Sequence, residues 1–302
     1  MDSSKPCFEI EKIVDSISLA SQDLPAPALY IVGLPIGNLS DITLRALWTL
    51  SQADFIAAED TRETKKLLEK FNIQGRLFPV HQHNEHEGTE KILAYLSRGL
   101  RVALVTDAGT PAVSDPGSKS VAIVREHGYR VIPVPGASAV VTAMSAAGMA
   151  PEGFVFHGFL HGGKKERRDE IAKLVSGGRT FILYEAPHRI LKLAEELAEN
   201  VPAQRKIVIA RELTKKFENI ESLTASELTD WSKHHEPRGE YVVLVNAEEK
   251  NTEEELSQEL REWLDNLIPL LPTGQLAAVA SKISGLSKKI IYNYILSKKN
   301  SS

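Results

Sequence analysis

The sequence predicts an α/β fold: two α/β domains followed by a small helical module. Three observations carry that prediction. Short apolar, β-branched runs without an internal turn residue recur along the chain, and each leads into a stretch of helical periodicity. The runs end in loops dense in Gly, Pro, Asp and Ser, the punctuation of strand-to-helix turns. From residue 249 onward there is no such run, only helical spacing.

Residues 1–27 hold one weakly amphipathic piece, Phe8 to Leu19, and then Pro25-Ala-Pro27; they read as an extension outside the fold. Ala28 to Val32 is the first strand. Its loop, Gly33 to Asn38, leads to a helix over 42–52 that Ser40 or Asp41 can cap, with Asn38 shaping the turn. Residues 54–58 form a strand ending in Glu59-Asp-Thr-Arg62, and a helix capped by Thr61 follows over 63–71. Leu77 to Val80 is a short strand, His81 to His86 a polar loop, and 88–97 a helix.

The central strand, 101–106, runs into the densest loop of the chain, Asp107 to Gly117. Glycine there admits unusual dihedrals and close ligand approach, and proline fixes the bend. A helix over 119–127, a strand over 129–134 and a helix opened by Pro135-Gly-Ala-Ser138 complete the first unit, read as a mostly parallel sheet covered by helices. The hinge is read between Val134 and Pro151, with the second unit's own strands beginning near Pro151, and the domain boundaries are set at 28–134 and 135–248. In the second unit the strands are 154–159, 180–184, 206–210 and 240–246. Residues 161–168 form a basic glycine loop, and helices occupy 169–175, the stretch from about 189 to 199, and 224–231. Residues 248–255 are acidic. Beyond them come three helices, 256–268, 273–283 and 286–296, a helix-turn-helix-like module whose end carries five lysines and no acid.

Composition narrows the function classes. A net charge of −4 advertises no global polycation, so any nucleic-acid surface is local. Cys7 is the only cysteine, which excludes an intramolecular disulfide and suits a reducing compartment. No apolar run reaches the length of a membrane span, and the start lacks a signal-peptide pattern, so the expectation is a cytoplasmic protein with no membrane partner. No dinucleotide fingerprint, Walker loop or nucleophile elbow is present.

Five strand ends carry polar groups: 35–38, 59–62, 81–85, 107–115 and 184–189. Their convergence at one sheet edge would make a pocket. In a strand, His81, His83 and Glu85 would share a face as metal ligands might, but no complementary cluster exists elsewhere and the expectation is no metal. Basic groups at 164–168, at 211–216 and at the C-terminus point to a polyanion near the pocket mouth.

Taken in order, the motifs Leu34-Pro-Ile-Gly-Asn-Leu-Ser-Asp41, Ala57-Ala-Glu-Asp-Thr-Arg62, His83-Asn-Glu85, Thr106-Asp-Ala-Gly-Thr-Pro-Ala-Val-Ser-Asp-Pro-Gly117, Pro135-Gly-Ala-Ser138, Tyr184-Glu185, His188-Arg189 and Ala210-Arg-Glu-Leu-Thr-Lys215 resemble the ribosomal RNA small subunit methyltransferase I family. The resemblance covers roughly residues 28–248, and the C-terminal helices are similar to that family's small helical domain. It implies the tetrapyrrole methylase fold, S-adenosylmethionine as cofactor in the cleft between two α/β domains, and 2′-O-methylation of a decoding-region cytidine in 16S rRNA of the small ribosomal subunit. It also implies a homodimer.

The resemblance places cofactor contacts at Pro35, Asp107, Gly109, Thr110, Val113, Ser138, Ala139, Tyr184, Ala210 and Glu240. Thr110 stands where tetrapyrrole methylases usually carry Asp, which argues against a porphyrin-like substrate. The implied chemistry is in-line displacement, driven by alignment and helped by a base beside the hydroxyl. Glu59, Asp60, His83 and Glu85 are candidates, with Asp60 and Glu85 preferred as catalytic residues; the alternative is that these carboxylates pair with Arg62 or cap helices. Arg62, His83, Asn84, Lys164, Lys165, Arg167 and Arg168 are the expected substrate contacts, the cations acting on phosphates. Methylation of a tetrapyrrole or a protein on the same fold is one rival, and a non-catalytic RNA-binding module another.

Overall fold

The computed structural model describes residues 23–149, 153–247 and 256–300. The described residues up to 247 form one compact unit and those from 256 a second. The amphipathic piece over 8–19, Cys7, the start of the second unit near Pro151 and the acidic stretch over 248–255 lie outside the described residues.

The first sheet takes β1 (Ala28–Val32), β2 (Phe55–Ala58), β3 (Leu77–Pro79), β4 (Arg101–Val105) and β5 (Arg130–Val134) in the order β3-β2-β4-β1-β5. Every pairing in it is parallel. Helices α1 (Leu44–Gln52), α2 (Thr61–Lys70), α3 (Glu85–Leu96) and α4 (Ser118–Glu126) connect its strands. All five residues of β1 are buried because both faces are covered: Leu29 and Ile31 pack with Ile92, Leu96 and Val124, while Ala28, Tyr30 and Val32 pack with Ala46 and Leu50. A continuous apolar run is what a parallel strand buried on both faces requires.

The second sheet takes β6 (Phe154–Phe159), β7 (Thr180–Glu185), β8 (Lys206–Arg211), β9 (Asn219–Thr224) and β10 (Tyr241–Val245) in the order β6-β7-β10-β8-β9. Only β6–β7 is parallel; the other pairings are antiparallel. Strand β9 was not expected from the sequence: Asn-Ile-Glu-Ser-Leu-Thr is half-buried and mostly polar, an edge strand whose pattern a period-2 reading passes over. Helices α5 (Ala139–Ala146), α6 (Lys164–Ser176), α7 (Ile190–Asn200) and α8 (Leu228–His234) cover this sheet. The boundary drawn at 134/135 falls between the sheets.

Several local expectations are corrected. Thr43, not Ser40 or Asp41, caps α1 by accepting from the Ala46 N–H at 3.0 Å, because residues 39–41 wind into a separate 3₁₀ turn. Asp60, not Thr61, caps α2, its Oδ1 accepting from the Arg62 N–H at 2.8 Å. Residues 164–168 are not loop but the first turns of α6, begun at Gly163 with Glu166 reaching back to the Gly163 N–H at 3.0 Å. Ala225–Glu227 wind a 3₁₀ turn between β9 and α8. The C-terminal unit holds α9 (Gln258–Leu267), α10 (Thr273–Ser284) and α11 (Lys288–Asn300) around Leu264, Leu276, Ala280, Ile291 and Ile295. No helix among the described residues is long and apolar enough to cross a membrane.

Candidate active site

Strands β2, β4 and β1 are neighbours in a parallel sheet, so their carboxyl ends bring three loops together. The Leu34 N–H donates to the Gly109 carbonyl at 2.8 Å, tying the first glycine loop to the central one. Opposite them lies one edge of the second sheet, where Tyr241 pairs with both Glu185 and Arg211. That edge therefore collects the ends of β7 and β8 and the start of β10. Two close approaches hold the arrangement. A Cβ on Gly33 would lie 2.8 Å from Gly136 Cα, so the loops after β1 and β5 pass backbone to backbone. Gly158, at φ +81° in a bulge of β6, sits where a Cβ would meet Ser114 Oγ at 2.6 Å, so only glycine serves there.

Between the loops and the edge is a cleft of about 340 Å³, the size of a small-molecule site. Of the residues expected to hold a cofactor, Gly109, Thr110, Val113, Ser138, Ala139, Tyr184 and Glu240 line it. Pro35 and Asp107 line an adjoining groove that shares Ile36, Ala108, Lys215 and Glu240 with the cleft. Ala210 lines neither. It is fully buried in the ladder opposite Val242 and packs with Val140 and Ala143.

The expected bases occupy structural posts. Asp60 caps α2 and accepts from Arg62 Nη2 at 2.6 Å. The guanidinium, with the Arg62 N–H, holds its carboxyl well below the usual carboxylate range. Glu85 Oε1 accepts from the N–H groups of Gly117, Lys119 and Ser120 at 3.1, 3.1 and 3.4 Å, so it caps α4 from another helix. Neither lines the cleft.

The carboxylate that does line it is Asp115, a residue of the central loop that sequence reasoning did not single out. Asp115 is half-buried and has no hydrogen-bond or ion-pair partner among the described residues. Burial, then the charges of Glu59 and Asp107, push its carboxyl up to about 7. Glu59 itself is raised by burial, an effect that the hydrogen bond from the Asp107 N–H partly offsets. Tyr184 is half-buried, and burial with the Asp115 charge pushes its phenol up to about 12, so it stays protonated. Lys215, one of the basic groups expected at the pocket mouth, lines the cleft half-buried, and the carboxylates of Glu212 and Glu240 take its ammonium at 2.8 and 2.9 Å and raise its pKa. The signal for Asp115 was present: it lies in the densest loop of the chain, directly before Pro116-Gly117.

The expected substrate contacts divide. Lys164, Lys165, Arg168 and His83 are exposed, as is Arg62, although it is bound to Asp60. Asn84 is spent locally, accepting from the His81 N–H at 2.7 Å and donating to the Pro79 carbonyl at 3.1 Å. Arg167 is corrected: only 2 % exposed, it is bound by Glu185 and Glu196 and meets no phosphate, because the helical period turns it inward while its neighbours face out. His81 and His83 sit in a turn and Glu85 begins α3, so they share no strand face; no group of three potential metal ligands occurs among the described residues.

The family model for tetrapyrrole (corrin/porphyrin) methylases matches residues 28–229. The chain is 45% identical over 283 residues to the ribosomal RNA small subunit methyltransferase I of Neisseria meningitidis serogroup A, covering 93% of this chain and 97% of the relative. The chain belongs to both families. It is accordingly a methyltransferase. The protein of the same name from Vibrio cholerae is 43% identical over 89% of this chain and 94% of its own. Among solved structures, diphthine synthase matches with a TM-score of 0.58 at 17% identity, covering 73% of this chain and 90% of that one. The uroporphyrin-III C-methyltransferase of Thermus thermophilus, complexed with S-adenyl homocysteine, matches with a TM-score of 0.53 at 20% identity over 72% of this chain and 97% of its own. These likenesses establish the fold.

Proposed function

We propose that the chain transfers a methyl group from S-adenosylmethionine to the 2′-hydroxyl of a cytidine in the decoding region of 16S rRNA. The observation that carries the reading is the cleft itself, in a chain whose relatives over nearly its whole length are named for methylating small-subunit rRNA.

The cleft's chemistry fits the cofactor. Its lining is apolar at Ile36, Val113, Phe159, Leu213 and Val242, and polar at Asp115, Ser114 and Ser138. An unpartnered carboxylate in such a cleft suits a ligand that carries positive charge, and the apolar walls suit a purine. The Thr214 hydroxyl, between the lining residues Leu213 and Lys215, is buried with no hydrogen-bond partner. S-adenosylmethionine supplies, when bound, a methyl group on a positively charged sulfur. The chain's part is to align a hydroxyl with that methyl and to take its proton. Asp115, free of any cap or ion pair, is the group placed to receive the proton. Lys164, Lys165 and Arg168, exposed on α6, and the lysines of α10 and α11 suit phosphate contact. A homodimer acting in the cytoplasm belongs to the same reading.

The test is transfer of labelled methyl from S-adenosylmethionine to small ribosomal subunits lacking the modification, followed by mapping. A 2′-O-methylated cytidine in the decoding region is the expected product. Label on a base, or at another nucleotide, would overturn the assignment.

A further inference from the structure

The end of β6 and the end of β7 both face the cleft through an aromatic residue. Phe159 and Tyr184 line it, their rings edge to face with centroids 5.6 Å apart. The residue after each of these is held by the same two arginines. Arg167 Nη1 donates to the Leu160 carbonyl at 3.1 Å and its Nη2 to Glu185 Oε2 at 3.1 Å. Arg189 Nη2 donates to the same carbonyl at 2.6 Å, and its Nε lies 3.2 Å from Glu185 Oε1. Glu185 Oε1 also accepts from the Ala186 N–H at 3.0 Å, fixing the turn by which Ala186 and Pro187 join the lining. Glu196 takes the remaining edge of the Arg167 fork, from Nε at 2.8 Å.

A buried ion network is a poor way to gain stability, since apolar residues of similar volume do as well or better. What a planar guanidinium gives that they cannot is direction: several donors at fixed angles, here spanning two strand ends and a helix. Arg167 is 2 % exposed, so it holds its geometry without solvent competition. We infer that Arg167 is a positioning residue for the cofactor: with Arg189 it clamps Leu160 and Glu185 so that the Phe159–Tyr184 wall and the Ala186–Pro187 turn keep the spacing the cofactor needs. The inference rests on the reading that the cleft binds S-adenosylmethionine or its product.

The test uses the full chain and S-adenosylhomocysteine in calorimetry, with steady-state methyl transfer beside it. Arg167→Lys keeps the charge and loses the fork. It is expected to fold, by circular dichroism, yet to bind S-adenosylhomocysteine about tenfold more weakly and to raise KM for S-adenosylmethionine by a similar factor, with kcat reduced less than about threefold. A folded Arg167→Lys whose Kd stays within about twofold of wild type overturns the clamp, because a purely structural role predicts lost stability without that split. Should Arg167→Lys fail to fold, Arg189→Lys probes the same two acceptors from the half-exposed side; weaker binding supports the clamp, and unchanged binding overturns it. Wild-type protein that does not bind S-adenosylhomocysteine removes the cofactor reading and the clamp with it, whereas binding by wild type with no change in the variants removes the clamp alone.

Discussion

Asp60, Glu85 and Asp115 are three carboxylates at strand or helix ends, and only their partners distinguish them. Asp60 already satisfies an N–H and a guanidinium, and Glu85 three N–H groups. The Arg62 guanidinium and N–H hold the Asp60 carboxyl well below the usual range and leave it little basicity for catalysis, while the Glu85 carboxylate is turned to the start of α4. Asp115→Asn should therefore lower methyl transfer at saturation by about 10²–10⁴-fold, the usual worth of a general base, while Asp60→Asn, which can still cap α2, keeps most activity. Initial rates on undermethylated subunits decide between them. With the Asp115 carboxyl near 7, the proton-accepting form is the ionised one, so the wild-type rate rises with pH through about 7 and is lost on the acid side. Stability runs the other way. The folded carboxyl binds a proton more tightly than the unfolded one, so the folded state loses stability as pH rises from the ordinary carboxylate range to about 7. Asp115→Asn should then raise Tm relative to wild type at pH about 8.5 and do so less at pH about 5, read by thermal melts. Arg167→Met, by contrast, leaves the buried Glu196 carboxylate without its guanidinium and Glu185 with that of Arg189 alone, and should cost about 3–5 kcal/mol in denaturant unfolding.

At the scale of elements, two devices set the cleft's frame. Glu85, at the start of α3, caps α4, so the helix that follows the central loop is anchored by a side chain from another helix. Glu85→Ala leaves those N–H groups without their acceptor and should cost about 1–2 kcal/mol, measured by urea unfolding, with cofactor binding little changed. The Gly33–Gly136 crossing is tighter still. A Cβ on Gly136 would stand 2.7 Å from the Gly33 carbonyl carbon, and backbone cannot swing aside as a side chain does. Gly136→Ala should push the two loops apart, cost about 1–3 kcal/mol of stability and weaken S-adenosylhomocysteine binding, since Ile36 and Ser138 both line the cleft. Calorimetry that finds stability lost with affinity intact would mean the crossing only supports the fold. Helix starts show how legible such devices are: Thr43 and Asp60 sit within three residues of the expected boundary, because several residues near it could cap and only backbone geometry chooses among them, whereas Gly163 begins α6 six residues before the expected Asp169.

Across the whole molecule, the cleft and the lysine-bearing helices α10 and α11 belong to different compact units, each with a core of its own. Residues 1–247 should consequently bind S-adenosylhomocysteine within about twofold of the full chain. The same truncation should bind small subunits more weakly and with a shallower salt dependence, since it removes the lysines of α10 and α11. Filter binding across a salt series reads both terms. Affinity for subunits that survives truncation would assign the polyanion contact to α6 instead.

The sequence by itself determined the alternation of strand and helix, the polar loops at the strand ends and the family, because each is written within a few consecutive residues: a period, a turn, an ordered motif. It could not order the second sheet, since β10 pairs with β7 and β8 across long stretches of chain. Nor could it say which charged groups were free. The partners that take Glu85 lie 32 to 35 residues away, and those that bury Arg167 lie 18 and 29 away. Local pattern fixes which way a backbone runs, but whether a carboxylate caps, pairs or stands open to a ligand depends on what the fold brings beside it. Tertiary structure alone made that choice, closing Asp60, Glu85 and Arg167 and leaving Asp115 open.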